Sequence, residues 1–164
     1  MKKLFLLAAC SCLLVSGFAQ NVSFKTPPDV RSDRTLSGSS RSLDKAERHF
    51  NNHYRGSTVV SWTTLAGTGF VCKFEDADRV NHVHYDKHGN WICTISGYSA
   101  EVLPKQVREM VQGCYEGYRI TYVNEVSSKA AEPVYIINIE SFSSYKVIRV
   151  AGDEMDVRKE MEKE

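Results

Sequence analysis

The sequence predicts an α+β fold of two helix-plus-antiparallel-sheet repeats, in the order helix, four strands, helix, three strands. Three observations carry this. The stretch from Gly69 to Gly97 alternates short β-branched and aromatic runs with tight clusters of turn formers. Two other segments carry apolar residues at helical spacing. A helix, Tyr-x-Gly, strand pattern occurs twice, with its tyrosines at Tyr54 and Tyr115, 61 residues apart. Two copies point to internal pseudo-symmetry, since a solenoid needs at least ~3 repeats.

The first helix is expected from about Ser42. Asp44 followed by Glu47 suits an N-cap with a capping glutamate. Ala46, Phe50 and Tyr54 recur at intervals of four and form its apolar stripe. Gly56 offers the left-handed turn that ends a helix. Thr58, Val60 and Trp62 then alternate along a strand. In the Gly69–Gly97 stretch, connections are so short that its three strands must run antiparallel. Alternation puts Phe70, Cys72 and Phe74 on one face of the first, Val83 and Tyr85 on the second, and Trp91, Cys93 and Ile95 on the third. Such a face needs a helical cover. The second helix starts at Leu103-Pro104, because proline is preset for a first helical position. Val107, Met110, Val111 and Cys114 form its stripe, and Gly117 ends it. Strands are expected over 118–126, 133–140 and 144–151, and the charged tail reads as a frayed helix.

The domain organisation follows. Residues 1–19 read as a signal peptide: Lys2 and Lys3, an apolar core, then small residues at Gly17 and Ala19. Cleavage after Ala19 leaves Gln20 first. The apolar run is shorter than the ~20 residues of a spanning helix. The alternative is a lipoprotein acylated at Cys10, after Leu7-Ala8-Ala9. Residues 20–41 hold Pro27, Pro28, Gly38 and five serines, a flexible leader. The domain spans 42–152, with halves of about 42–100 and 101–152, and 153–164 form a charged tail.

Composition narrows the function. The 164-residue chain has 21 Lys and Arg against 20 Asp and Glu, and loss of residues 1–19 leaves 19 against 20. No basic patch implies a nucleic acid or an anionic membrane as partner. Beyond the signal remain Cys72, Cys93 and Cys114, an odd set without a CxxC. Catalytic motifs are missing too: there is no Gly-x-Ser-x-Gly elbow, and His49 and His53 lack the glutamate of a His-Glu-x-x-His zinc motif.

The order and spacing of several motifs resemble a known family. They are Ala46-x3-Phe50-x3-Tyr54, Val60-Ser61-Trp62, Phe70-x-Cys72-x-Phe74 and Val83-x-Tyr85-Asp86-x2-Gly89-x-Trp91. Leu103-Pro104-x2-Val107 and Tyr115-Glu116-Gly117-Tyr118-x-Ile120 follow. Across about residues 43–152 the chain is similar to the PepSY-like, β-lactamase-inhibitor-like family of exported bacterial proteins. The resemblance implies a helix-plus-antiparallel-sheet module repeated twice and no established enzyme activity.

These readings lead to a non-enzymatic binding or inhibitory module, exported to the periplasm or cell surface, acting on an envelope protein partner without a cofactor. Trp62 and Trp91 are the candidate anchors, since interfaces favour tryptophan. The alternative is a periplasmic small-ligand or metal sensor built on His82, His84 and His88. His82 and His84 share a strand face, and same-face imidazoles can converge on one ion. Strand alternation alone also explains that pair as a solvated outer face.

Overall fold

The computed structural model describes residues 39–129 and 132–164. The signal peptide, the Cys10 alternative and residues 20–38 of the leader lie outside them.

Helix α1 spans Ser39–His53. It is followed by β1 (Thr58–Leu65), β2 (Gly69–Asp76), β3 (Arg79–Asp86) and β4 (Trp91–Tyr98). A 3-10 turn at Ala100–Val102 leads into α2 (Lys105–Cys114). Then come β5 (Arg119–Ser128), β6 (Val134–Glu140), β7 (Ser144–Ala151) and β8 (Glu154–Glu162). All eight strands form one sheet in chain order, antiparallel throughout.

This overturns the expected two helix-plus-antiparallel-sheet repeats with sheets of four and three strands. β4 pairs with β5 from Cys93↔Ser128 to Tyr98↔Val123, so the sheet is continuous through the middle of the chain. The charged tail is strand β8, paired with β7, and not a frayed helix. α1 also begins five residues before Asp44, which therefore lies inside the helix and does not cap it. Pro104 precedes α2, and its carbonyl accepts the Arg108 N–H at 3.0 Å.

Both helices pack on one face of the sheet, over two separate cores. Under α1, Ala46 and Phe50 meet Phe70, Cys72, Phe74, Val83 and Tyr85. Under α2, Val111 joins Tyr98, Val123, Ile137, Ile148 and Val150, with Val107 and Met110 at the margin. Between the cores runs a polar seam. Ser96 donates to Asn81 Oδ1 at 2.6 Å, Tyr98 donates to Glu125 Oε2 at 2.6 Å, and Arg79 lies 3.6 Å from the same carboxylate oxygen. Each half-covered polar group thus has a partner where neither helix supplies apolar cover.

The β3–β4 turn fastens the sheet to α1. Asp86 Oδ1 accepts the N–H groups of His88 and Asn90, each at 2.8 Å, and Oδ2 accepts the Asn90 amide at 2.8 Å. These bonds, first among them that from the Asn90 side chain, hold the Asp86 carboxyl below its usual range. Lys45 of α1 donates to Asn90 Oδ1. Gly89 has φ +74°, and a Cβ there would lie 2.1 Å from the Ser42 carbonyl oxygen, so only glycine permits this approach.

Candidate interaction face

The opposite face of the sheet carries no helix. Alternation sends every second residue to it, and the pairing registers line these residues into rows. One row runs Lys73, His82, Ile95, Val126, Val134, Ala151. The next runs Val80, Gly97, Asn124, Ile136, Arg149, Asp156. Ile95, Val126, Val134 and Ile136 therefore form an apolar centre, half-buried only by one another and their neighbours. Lys73 and His82 border it on one side. On the other, Arg149 donates to Asp156 at 3.1 Å.

Tyr122 is the aromatic of this face. It is 42% exposed. A Cβ added to Gly97 would sit 1.9 Å from its hydroxyl oxygen, so the phenol lies over Gly97. Glycine in a strand leaves bare backbone, and here a neighbouring ring covers it. Tyr145 is exposed on the same face, near the β8 edge. Phe142, in the β6–β7 turn, is 100% exposed.

Trp62 and Trp91 are on the helix-covered side. Trp62 is half-buried beside Phe50 and Tyr85, at ring distances of 5.9 and 5.7 Å. Trp91 packs against the same core, donates to Thr94 Oγ1 at 3.0 Å and stacks on His49 at 6.1 Å. Trp91, Cys93 and Ile95 do not share a face as their spacing predicts. The register shifts where β3 meets β4, with His84 opposite Cys93 and Tyr85 opposite Trp91. Ile92 is the extra residue, so Trp91 turns to the helices while Cys93 and Ile95 turn away.

His82 and His84 lie on the open face, two residues apart on β3, while His88 is exposed in the β3–β4 turn. The structure does not bring the three together. Among the described residues, no three His, Cys, Asp or Glu side chains are gathered to hold a metal ion. His84 stands opposite Cys93, the pairing most like a catalytic dyad. Burial, and then His82, lowers the His84 pKa, and burial raises that of Cys93. A reactive thiolate–imidazolium pair needs both shifts reversed.

Sequence reading missed the open-face centre because its residues come from three strands, β4, β5 and β6, which are joined only by the β4–β5 pairing. The lone Phe142 among serines was the one legible signal for the turn.

No protein-family model matches the chain, and no curated protein matches it. Solved structures do share its fold. A DUF2874 family protein from Bacteroides ovatus is 14% identical, with a TM-score of 0.59 over 72% of this chain and 85% of that one. A BLIP-like protein from Bacteroides fragilis is 15% identical, with a TM-score of 0.59 over 73% of this chain and 84% of that one. A Bacteroides eggerthii protein, provisionally described as periplasmic, is 13% identical, with a TM-score of 0.57 over 73% and 87%. None of these three is described as PepSY-like, and the likeness is to the BLIP-like fold. No helix among the described residues is long and apolar enough to cross a membrane.

Proposed function

We propose that this chain is an exported, non-enzymatic binding or inhibitory module that engages a protein partner of the cell envelope across the open face of its sheet. The observation that carries this is the apolar centre of Ile95, Val126, Val134 and Ile136, which neither helix covers. Interfaces pair such a centre with a polar rim and aromatic anchors. Tyr122 and Tyr145 supply the anchors, with Lys73, His82, Arg149 and Asp156 around them. The anchoring role expected of Trp62 and Trp91 passes to these tyrosines, because both tryptophans pack under α1. Further support comes from the shared fold with a BLIP-like protein and from the periplasmic description of another neighbour. The basic sequence start, Lys2 and Lys3 before an apolar run, supports export. The thiol and imidazole shifts at Cys93 and His84 run against a nucleophilic enzyme.

Envelope extract passed over immobilised protein tests this reading. One partner should be retained by the wild type and by Trp62→Ala, and lost with Ile136→Asp or Tyr122→Ala while those variants keep the wild-type circular dichroism. Equal retention by all four would refute it.

A further inference from the structure

The two edges of the sheet are built differently. β8 reads Glu-Met-Asp-Val-Arg-Lys-Glu-Met-Glu, with charges at six of its nine positions outnumbering its apolar residues. β1 reads Thr-Val-Val-Ser-Trp-Thr-Thr-Leu, with no charge and no proline. Edge strands present unpaired N–H and C=O groups, and proteins blunt them with charges, proline or cover. β8 has the charges. Among the described residues β1 has no charge, proline or cover, and its one irregularity is a bulge at Val60. Seven of its eight residues are exposed, and only Trp62 tucks beneath α1. Val60 at 51% and Val59 and Leu65 at 41% are among the exposed large apolar residues.

We infer that β1 pairs antiparallel with β1 of a second copy of this chain, joining two sheets edge to edge. Charge decides the occupant. Any antiparallel register of β1 on itself sets neutral residues against neutral ones, so no like charges meet. β8 on itself sets a net acidic strand against its equal. β1 on β8 of another copy is a head-to-tail contact that propagates into filaments. It would place β8's charges against Val, Thr and Leu without partners. The only pairing free of charge conflict is the isologous one, and it closes at two copies. α1 meets β1 at Trp62, whose ring packs against Phe50 at 5.9 Å on the covered face of the sheet and not at its outer edge. A two-fold axis normal to the sheet keeps both open faces on the same side, so the dimer presents two copies of that face side by side. The inference does not depend on the open-face reading, since β1 pairing uses main-chain groups at the edge.

Sedimentation equilibrium on the purified exported protein tests it. The wild type should have twice the monomer mass at ~100 µM. Val60→Lys and Thr64→Lys, both at exposed positions, should raise the dissociation constant ~10-fold or more while leaving the melting temperature unchanged at concentrations where the wild type is monomeric. Val157→Lys, at an exposed position of β8, should leave the dimer intact. A wild type that stays monomeric overturns the inference, and an extended segment of another protein then becomes the occupant to seek. A dimer indifferent to both β1 variants, or equally weakened by Val157→Lys, overturns it as well.

Discussion

The Tyr98 hydroxyl donates to Glu125 Oε2 at 2.6 Å, linking β4 to β5 at the polar seam between the two cores. Arg79 lies above the same ring, 4.6 Å from its centroid, and neutralises the carboxylate from the side. Burial, then the bond to Glu125, raises the Tyr98 pKa, so the phenol keeps its proton and remains a donor. A hydrogen bond to a charged group contributes ~1.5–3 kcal/mol. Tyr98→Phe should lose about that much in urea unfolding while near-UV signals of the aromatic cores persist. A loss near zero would mean that Arg79 alone satisfies Glu125.

Two glycine substitutions should act in opposite directions. At Gly89 alanine meets both a positive φ and the Ser42 carbonyl, so Gly89→Ala should cost ~1–3 kcal/mol or more. At Gly113 in α2 nothing lies within 4 Å of a new Cβ. Gly113→Ala should gain ~0.5–1 kcal/mol, since alanine loses less backbone entropy in a helix. Thermal melts of the two variants give the comparison directly.

The three described thiols should react in a fixed order. Cys114 is exposed, Cys93 is half-buried and Cys72 is buried. Burial pushes the Cys72 thiol up to about 11, and the nearby Glu47 adds to it. An alkylating reagent at neutral pH should therefore label Cys114 first and Cys72 only on unfolding. No 72–93 disulfide should be recovered by peptide mapping. The two residues sit two strands apart, Cys72 toward α1 and Cys93 toward the open face, so their Cβ vectors point apart.

Stability should fall between neutral and mildly acidic pH. His49 of α1 is held below its ordinary value of 6.5 by burial, then by His53 and Lys129. Its ring stacks on His53 at 4.0 Å, bonds Tyr85 Oη at 3.1 Å and faces Trp91 of β4. The unfolded chain takes up this proton at higher pH than the folded one. The contribution of neutral His49 is thus complete above 6.5 and is lost as pH falls through its lower folded value. His84 adds in the same direction. The melting temperature should drop across this window, and His49→Asn should flatten the drop. An unchanged slope in that variant would exclude His49 as a source.

The meander β2–β4 was legible because alternation and turn residues agree there. Phe70, Cys72, Phe74, Val83 and Tyr85 all reach the covered face that alternation assigns them. The face of Trp91 was not legible, since one extra residue at Ile92 inverts the alternation and leaves no mark in composition. The β4–β5 pairing was hidden by α2, which separates strands that are neighbours in space. β8 was hidden by its own charges, which suit a sheet edge as well as they suit a solvated helix. The open face was beyond reach for the same reason: Ile95, Val126 and Ile136 become neighbours only once the two halves of the sheet are joined.

Every strand of the sheet pairs only with its neighbours in the chain, the edge strands β1 and β8 with one each. No strand has to wait for a distant partner, and α2 is the largest detour between consecutive strands. Loop-closure entropy is therefore met in small steps, each rewarded at once by a new ladder. The chain should fold faster than a β-sandwich of its length, adding hairpins outward from the β2–β4 meander, with the charged last strand arriving as the simple completion of β7.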